Sequence, residues 1–407
     1  MPFPTLSTPL RSVRDFVLLP ARARREFWRD RRGRLGPDPG PEVALRAAVT
    51  WLGTAQDHSS TRDGGVARHY SLVSGWGASY PETTGYIIPT LLTVATRSGE
   101  SEPADRARRM LDWLVSIQLE GGGFQGGTVD AVPVVPVTFN TGQILMGLSA
   151  GVAAWGETYR EPMRRAADWL VNTQDPDGGW RKHPTPFAAG GDKSYETHVA
   201  WGLLEAARHE RGRGYAEAAR RNIAWALTRQ HENGWFDSCC LHNPLNPLTH
   251  TLGYALRGVL EGHRFFQEAA LLASARRTAD ALLQCQREDG SIPGRLDAEW
   301  RPAVRWICLT GVVQVAACWF YLHQVTGERR YLDAARAATA YVRRTMSIQG
   351  PPEIRGAVKG SFPVSGAYGR FEYLNWAAKF LADACLLELA AERPKGGTPL
   401  GRIDGGS

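Results

Sequence analysis

Trp169-Leu170-Val171-Asn172-Thr173-Gln174-Asp175-Pro176-Asp177-Gly178-Gly179-Trp180 is the stretch whose reading decides the fold. A Trp near the end of a helical run is followed five residues later by Gln, and Asp-Pro-Asp-Gly-Gly is turn chemistry that stops the helix. An aromatic residue closes the turn six positions after the Gln. The same spacing recurs at Trp113/Gln118/Phe124 and Trp225/Gln230/Phe236. Trp51/Gln56 carries a longer turn through Asp63-Gly64-Gly65-Val66, Ala281/Gln286/Ile292 keeps the spacing without the Trp, and Tyr341/Met346 is a degenerate last copy. The anchors 51, 113, 169, 225, 281 and 341 lie 62, 56, 56, 56 and 60 residues apart. Self-similarity at such a period is the signature of a repeat architecture.

Each repeat reads as two helices joined by the Gly turn and a loop. The second helices begin near Thr84, Thr141, Thr197, Thr249 and Thr310, with Leu374-Asn375 as the sixth equivalent, and run on into stretches such as Ile144-Leu145-Met146-Gly147-Leu148. A helix apolar nearly all round is buried. Their partners, such as Ala104 to Trp113, place Arg and Asp on one face and face solvent. Six buried helices alternating with six amphipathic ones satisfy their apolar faces together when closed into a ring, which predicts an all-α (α/α)6 barrel over residues 43–391. The loops Pro133 to Phe139, His183 to Tyr195, Asp237 to Leu248 and Arg355 to Arg370 should then gather on one face, above a cavity rimmed by the first residues of the inner helices.

The net charge of +7 is unevenly placed, because residues 11–34 hold nine Arg against Asp15, Glu26 and Asp30, leaving the rest of the 407-residue chain near +1. A nucleic-acid binder spreads its basic residues over the folded surface, so nucleic acid is not an expected partner. The arm, residues 1–42, mixes these Arg with Phe16, Leu18, Phe27 and Trp28, a composition suited either to peripheral contact with an anionic membrane or to packing on the barrel. Six cysteines without a CxxC pair read as reduced thiols. With no signal-peptide order and no run of ~18 apolar residues, the expected compartment is the cytoplasm, with packing of the arm on the barrel ranked ahead of membrane contact. The Gly-rich tail 392–407 is predicted to be disordered.

The Gln-x-x-x-Gly-Gly-Trp unit of Gln174 to Trp180 and its copies resemble the repeat of the α/α-toroid superfamily of terpenoid cyclases and protein prenyltransferases. Over residues 43–390 the hairpin plan also resembles six-hairpin glycosidases, sugar 2-epimerases and α/α-barrel polysaccharide lyases. The resemblance implies architecture. It also implies that the Gln and aromatic tie one repeat to its neighbour, away from the cavity, so the chemistry must be argued from the site.

The inner-helix starts supply Tyr80, Glu82 and Tyr86; Asn140 and Gln143; Tyr195, Glu196 and His198; His250 and Tyr254; Gln314; and Arg370, Tyr373 and Asn375. The repeated Thr are expected to cap helices. His198 and His250 stand where three other repeats have Gly, so neighbouring inner helices should present two imidazoles to one hollow. Groups titrating near neutrality on two sides of a substrate suit proton removal and return, as in an epimerase or lyase. There Tyr195 or Tyr254 could act with the imidazoles while Asn140 and Arg370 neutralise a uronate carboxylate. Glu82 and Glu196 offer the rival scheme of paired carboxyl groups for glycoside hydrolysis. Aromatics including Trp180 and Tyr368 would stack on sugar faces. The expected function is therefore an enzyme acting on a glycan, a uronate-containing polysaccharide or oligosaccharide, with no cofactor.

Two alternatives remain at this stage. The aromatics would equally line an isoprenoid pocket, although the Asp-x-Asp-Asp acid of squalene and hopene cyclases is absent. Asp237-Ser238-Cys239 followed by His250 looks like the zinc set of prenyltransferase β subunits, with a far shorter gap to the His. A non-catalytic glycan-binding toroid is the third class.

Overall fold

The structure, a computed structural model, describes residue 16 and residues 18–392 apart from 34, 187 and 189. The tail beyond 392 and residues 1–15 of the arm lie outside the described residues. After helix α1 (Ala21–Arg31), six outer helices alternate with six inner ones. The outer helices are α2 (Pro41–Asp57), α4 (Glu102–Ser116), α6 (Arg160–Thr173), α8 (Tyr215–Leu227), α10 (Ala269–Cys285) and α12 (Arg329–Arg343). The inner ones are α3 (Pro81–Ser98), α5 (Thr138–Trp155), α7 (Thr197–Ala207), α9 (Thr249–Phe266), α11 (Leu309–Thr326) and α13 (Asn375–Ala391). Each inner helix packs on the next, and α13 returns to α3, so the ring is closed. The burial follows the sequence pattern. α5 is buried without interruption from Thr138 to Ser149, whereas α4 buries Ala107, Met110, Leu111 and Leu114 and turns its Arg outward.

The hairpins are offset by one helix from the repeat read in the sequence. Only a few residues separate α3 from α4 and α11 from α12, so each inner helix folds back on the outer helix that follows it, as short connections require. This leaves α2 without a preceding inner helix, and α2 packs on α13 instead. The first outer helix thus completes the last hairpin. Two small antiparallel sheets reinforce the closure: β1 (His69–Ser71) lies between β2 (Gly75–Trp76) and β5 (Glu372–Leu374), and β3 (Ile307–Cys308) pairs with β4 (Ser361–Phe362).

The repeated Gln is the joint between units. Gln174 Nε2 donates to Gly178 O at 3.1 Å within its own turn and to Ala218 O of the next outer helix at 2.9 Å. Gln118 does the same to Gly122 O and Pro162 O, and Gln286 to Gly290 O and Ala334 O. Gly178 has φ +98°, and a Cβ there would stand 2.5 Å from Arg221 O, so the turn lies directly on the backbone of the neighbouring helix. Met346 cannot make the amide bonds in the sixth copy. Instead Gly356, at φ +84°, sits where a Cβ would meet Ala47 O of α2 at 2.0 Å, and Trp51 Nε1 donates to Glu353 O at 2.8 Å.

The repeated Thr are not the caps expected of them: the N-cap positions are Tyr80, Val137, Glu196, Leu248 and Cys308. Thr84 and Thr141 donate to the carbonyls of Tyr80 and Val137 four residues back and accept from the backbone N–H of Val66 and Phe124, tying the Gly turn to the inner helix of the same unit.

The arm is docked. Pro20 stands at the N-cap of α1 and starts the helix. Glu26 and Asp30 are buried on Lys359 Nζ, at 2.5 and 2.6 Å, and Asp30 Oδ2 also accepts from Val364 N–H. Burial pushes both carboxyl groups up and Lys359 pulls both down. The pull prevails at Glu26, while Asp30 stays raised. Arg22 donates to Leu72 O and to the Tyr70 hydroxyl, clamping α1 on the β1 sheet.

Gly356→Ala should cost more than about 3 kcal/mol, because the new methyl group opens the joint between the last turn and α2. Gly350→Ala, also at positive φ but with nothing within 4 Å, should cost about 1 kcal/mol; paired denaturation curves read the difference. Lys359→Met, which leaves two buried carboxyl groups without their cation, should cost about 3–5 kcal/mol and expose the arm to limited proteolysis.

Candidate functional site

Above the inner-helix starts lies a cavity of about 430 Å³. Its residues come from several units because each inner helix presents its first turn to the same axis. Tyr80 is the extended N-cap of α3 and Pro81 fixes the first helical φ, so Tyr80 and Glu82 enter together. The Tyr80 hydroxyl donates to Glu82 Oε2 at 3.0 Å. Phe139 from α5, Tyr195 before α7, and His250, Thr251 and Tyr254 from α9 complete the wall, with Tyr86 below. Trp376 of α13 and Tyr368 close the far side, where Trp376 Nε1 donates to the Tyr368 hydroxyl at 2.8 Å. Thr185 and Leu241 descend from two of the loops that the sequence placed on this face, and Gly127 and Thr128 from the turn just before the first of them.

Among the described residues one acid, Glu82, lines this aromatic chamber. Burial pushes Glu82 up to about 7, against the Tyr80 hydroxyl and the Arg68 guanidinium, which pull it down. Arg68 reaches the cavity from the segment just before β1. Its Nη1 donates to Glu372 Oε2 at 3.1 Å, and its guanidinium lies 5.3 Å from the Trp376 ring. The imidazoles are neutral for the same reason that Glu82 is raised: burial lowers His250 to about 4 and His198 well below its ordinary value. His250 Nδ1 is 2.6 Å from Gln314 Oε1 and His198 Nδ1 is 2.7 Å from Gln143 Oε1. A carbonyl oxygen only accepts, so each Nδ1 carries the proton and each Nε2 keeps its lone pair. The Tyr254 ring stands between the two, 4.4 Å from each imidazole. Burial raises Tyr80, Tyr86, Tyr195, Tyr254 and Tyr368 well above the ordinary phenol value, so they are hydroxyl donors rather than bases. The roles of base suggested for Tyr195 and Tyr254 are disfavoured on that ground.

Of the residues read from the sequence, Tyr80, Glu82, Tyr86, Tyr195, His250, Tyr254 and Tyr368 line the cavity. His198, Gln143 and Gln314 stand one layer behind, holding Tyr254 and His250. Glu196 does not line it. It is buried in the short turn Ser194–Glu196, and burial raises its carboxyl group well above the ordinary range. Asn140 is buried within α5 and is not part of the wall. Tyr373 alternates with Glu372 along β5 and faces the arm, where its hydroxyl meets Glu26, so only Glu372 turns toward Arg68. Asn375 Nδ2 is spent on Ala67 O, and Trp180 Nε1 on Leu170 O within its own joint. Arg370 is exposed with its guanidinium over Phe371. The zinc set does not converge. Asp237 Oδ2 accepts from exposed His231 at 2.8 Å, while Cys239 donates to Thr251 O and burial pushes its thiol up to about 12. Among the described residues no group of three or more His, Cys, Asp or Glu could hold a metal ion.

Phe139, Arg68 and Trp376 were missed. Phe139 occupies the register of Glu82 and Tyr195, and Trp376 that of Tyr86 and Thr251, so aligning the repeats would have found both. Arg68 carries no such signal, because a pairing with residues three hundred positions away sets its place.

Among the described residues no helix is long and apolar enough to cross a membrane. Residues 92–260 match the squalene-hopene cyclase C-terminal domain family. No curated protein matches the sequence. Among solved structures, the unsaturated glucuronyl hydrolase of Bacillus sp. GL1, described as responsible for glycosaminoglycan degradation, is similar at 15% identity and TM-score 0.66, over 85% of this chain and 96% of that one. The cellobiose 2-epimerase of Bacillus thermoamylovorans B4167 is similar at 8% identity and TM-score 0.65, over 83% and 95%. A D-mannose isomerase is similar at 11% identity and TM-score 0.69, over 86% and 97%. At such identities the likeness is one of fold, and the chain has the six-hairpin, glycosidase-like α/α-toroid fold.

Proposed function

We propose that this chain is a cytoplasmic carbohydrate-processing enzyme that moves a proton at a sugar carbon, epimerising or isomerising an acidic sugar. The observation that carries the reading is a raised carboxyl group and a neutral imidazole, Glu82 and His250, in one aromatic cavity. Tyr80, Trp376 and Tyr368 offer faces for a pyranose ring, and the phenols offer donors to its hydroxyls. Arg68, the cation at the wall, suits the carboxylate of a uronate and would stabilise the negative charge that develops when the adjacent carbon loses its proton. His250 Nε2 takes that proton and Glu82 returns one to the other face. Solvent exchange then restores neutral His250 and protonated Glu82. The solved relatives acting on glucuronyl, cellobiose and mannose substrates support the substrate class. Paired-carboxylate hydrolysis is less well supported, because Glu196 does not join Glu82 at the cavity wall.

A second reading rests on the match to the squalene-hopene cyclase C-terminal domain and on the aromatic lining, which would also enclose an isoprenoid. Incubation with uronate and neutral sugars in deuterated water separates the readings. Carbon-bound deuterium without cleavage is the expected result. Ultraviolet absorbance from an unsaturated uronate would make the enzyme a lyase, and cleavage without it a hydrolase. Sugar inertness with turnover of an isoprenoid diphosphate or squalene would favour the second reading.

The active pairing needs His250 neutral and Glu82 protonated. Activity should therefore rise as pH passes about 4 and fall as it passes about 7. Glu82→Gln should lower kcat by about 10²–10⁴-fold and remove the upper limb of the profile.

The same residue should leave a mark on stability. A carboxyl group whose folded pKa is raised contributes stability below its unfolded value, and that contribution is lost as pH rises through about 7. Glu82→Gln should accordingly be more stable than the parent at pH 8 by roughly 1–3 kcal/mol, with little difference at acid pH, as read by urea denaturation.

A further inference from the structure

Helix α1 is amphipathic, with its acidic side turned inward. Ala23, Glu26 and Asp30 are buried against the toroid. Arg25, Trp28, Arg29 and Arg32 are exposed, at a spacing that forms one stripe along the helix. Both carboxylates of α1 are engaged by Lys359 on the inner side. Arg29 also reaches back to Glu26, at 3.6 Å. Among the described residues the outer stripe therefore presents guanidinium groups without an acidic residue between them, on a chain that is otherwise close to neutral. Apolar groups are set among these charges, since Trp28 is 52% exposed and Leu18, just before the helix, is 71% exposed. A concavity of about 770 Å³ runs along this face, lined by Arg24, Arg25, Trp28, Arg29, Arg32 and Leu35.

We propose that this stripe seats the protein on an anionic phospholipid surface. The guanidinium groups meet lipid phosphates, and Trp28 and Leu18 enter the boundary between headgroups and acyl chains. The exposed apolar residues favour a membrane over a dissolved polyanion, which has no apolar layer to receive them. The Glu26–Lys359–Asp30 cluster makes the seat rigid. It fixes the rotation of α1, so the stripe faces outward before any lipid is met.

The test is co-sedimentation of the full chain with vesicles of phosphatidylcholine alone and of phosphatidylcholine mixed with phosphatidylglycerol. Binding to the mixed vesicles, weakened by salt, with little binding to the neutral ones, is expected. Each basic residue near such a surface changes partitioning by about fivefold, so Arg25→Gln/Arg32→Gln should lower it by about 25-fold. Trp28→Ala should weaken it as well, with thermal melting unchanged in both variants. Equal binding to both vesicle types, no binding, or full binding by the double variant would overturn the proposal. So would Arg-dependent binding to a soluble polyuronate or nucleic acid without vesicle binding, which would make the stripe a polyanion site.

Discussion

Each Gly turn lies on the backbone of the next outer helix, and that contact sets the dimensions of everything else. A left-handed Gly removes the side chain that would keep two backbones apart, and the Gln amide then spans both units with two donors. A net ~0.5–1.5 kcal/mol for each such hydrogen bond is modest. The geometric effect is larger, since equal spacing of the outer helices fixes the angle at which inner helices converge and so the width of the cavity. Where the Gln is lost, at Met346, the close approach of Gly356 to Ala47 remains. The backbone contact is thus the conserved element of the joint within this chain, and the amide an addition to it.

The chemistry of the cavity follows from the burial of its titratable groups. Aromatic side chains dominate the wall, and in that medium charge is disfavoured on acids and bases alike. One cause therefore raises Glu82, lowers His250 and His198, and keeps the phenols protonated. The second layer then selects among neutral forms. Gln143 and Gln314 take the Nδ1 protons and leave both imidazoles as acceptors. The two Gln–His pairs flank Tyr254 but arise differently: Gln143 stands on the inner helix before that of His198, and Gln314 on the one after that of His250.

Much of the architecture was legible because the repeat joint is local: Trp, Gln and Gly lie within a dozen residues and their spacing survives in the letters. The offset of the hairpins was not, since the motif marks where units touch rather than which helices fold back on each other, and loop length decides the latter. For the candidate site, repeat register located Glu82, Tyr195 and His250, and could have located Phe139 and Trp376. It failed at Tyr373, Asn375 and Arg370. That last unit is built by strand pairing between the chain's two ends, and the alternation of β5 sends Glu372 and Tyr373 to opposite sides. Arg68 was invisible for the same reason.

The pairing of α2 with α13 also governs the order of assembly. Helix α2 is among the first segments to be synthesised, yet the inner helix it folds upon is the last, and Trp51 waits about three hundred residues for Glu353. Until then the apolar face of α2 and one flank of α3 have no permanent cover, as with the open end of a solenoid. Such long-range closure is slow and leaves apolar surface accessible to other nascent chains. The ring therefore confers its rigidity late, and a ribosome-bound chain lacking only its final helix is an open arc rather than a nearly finished toroid.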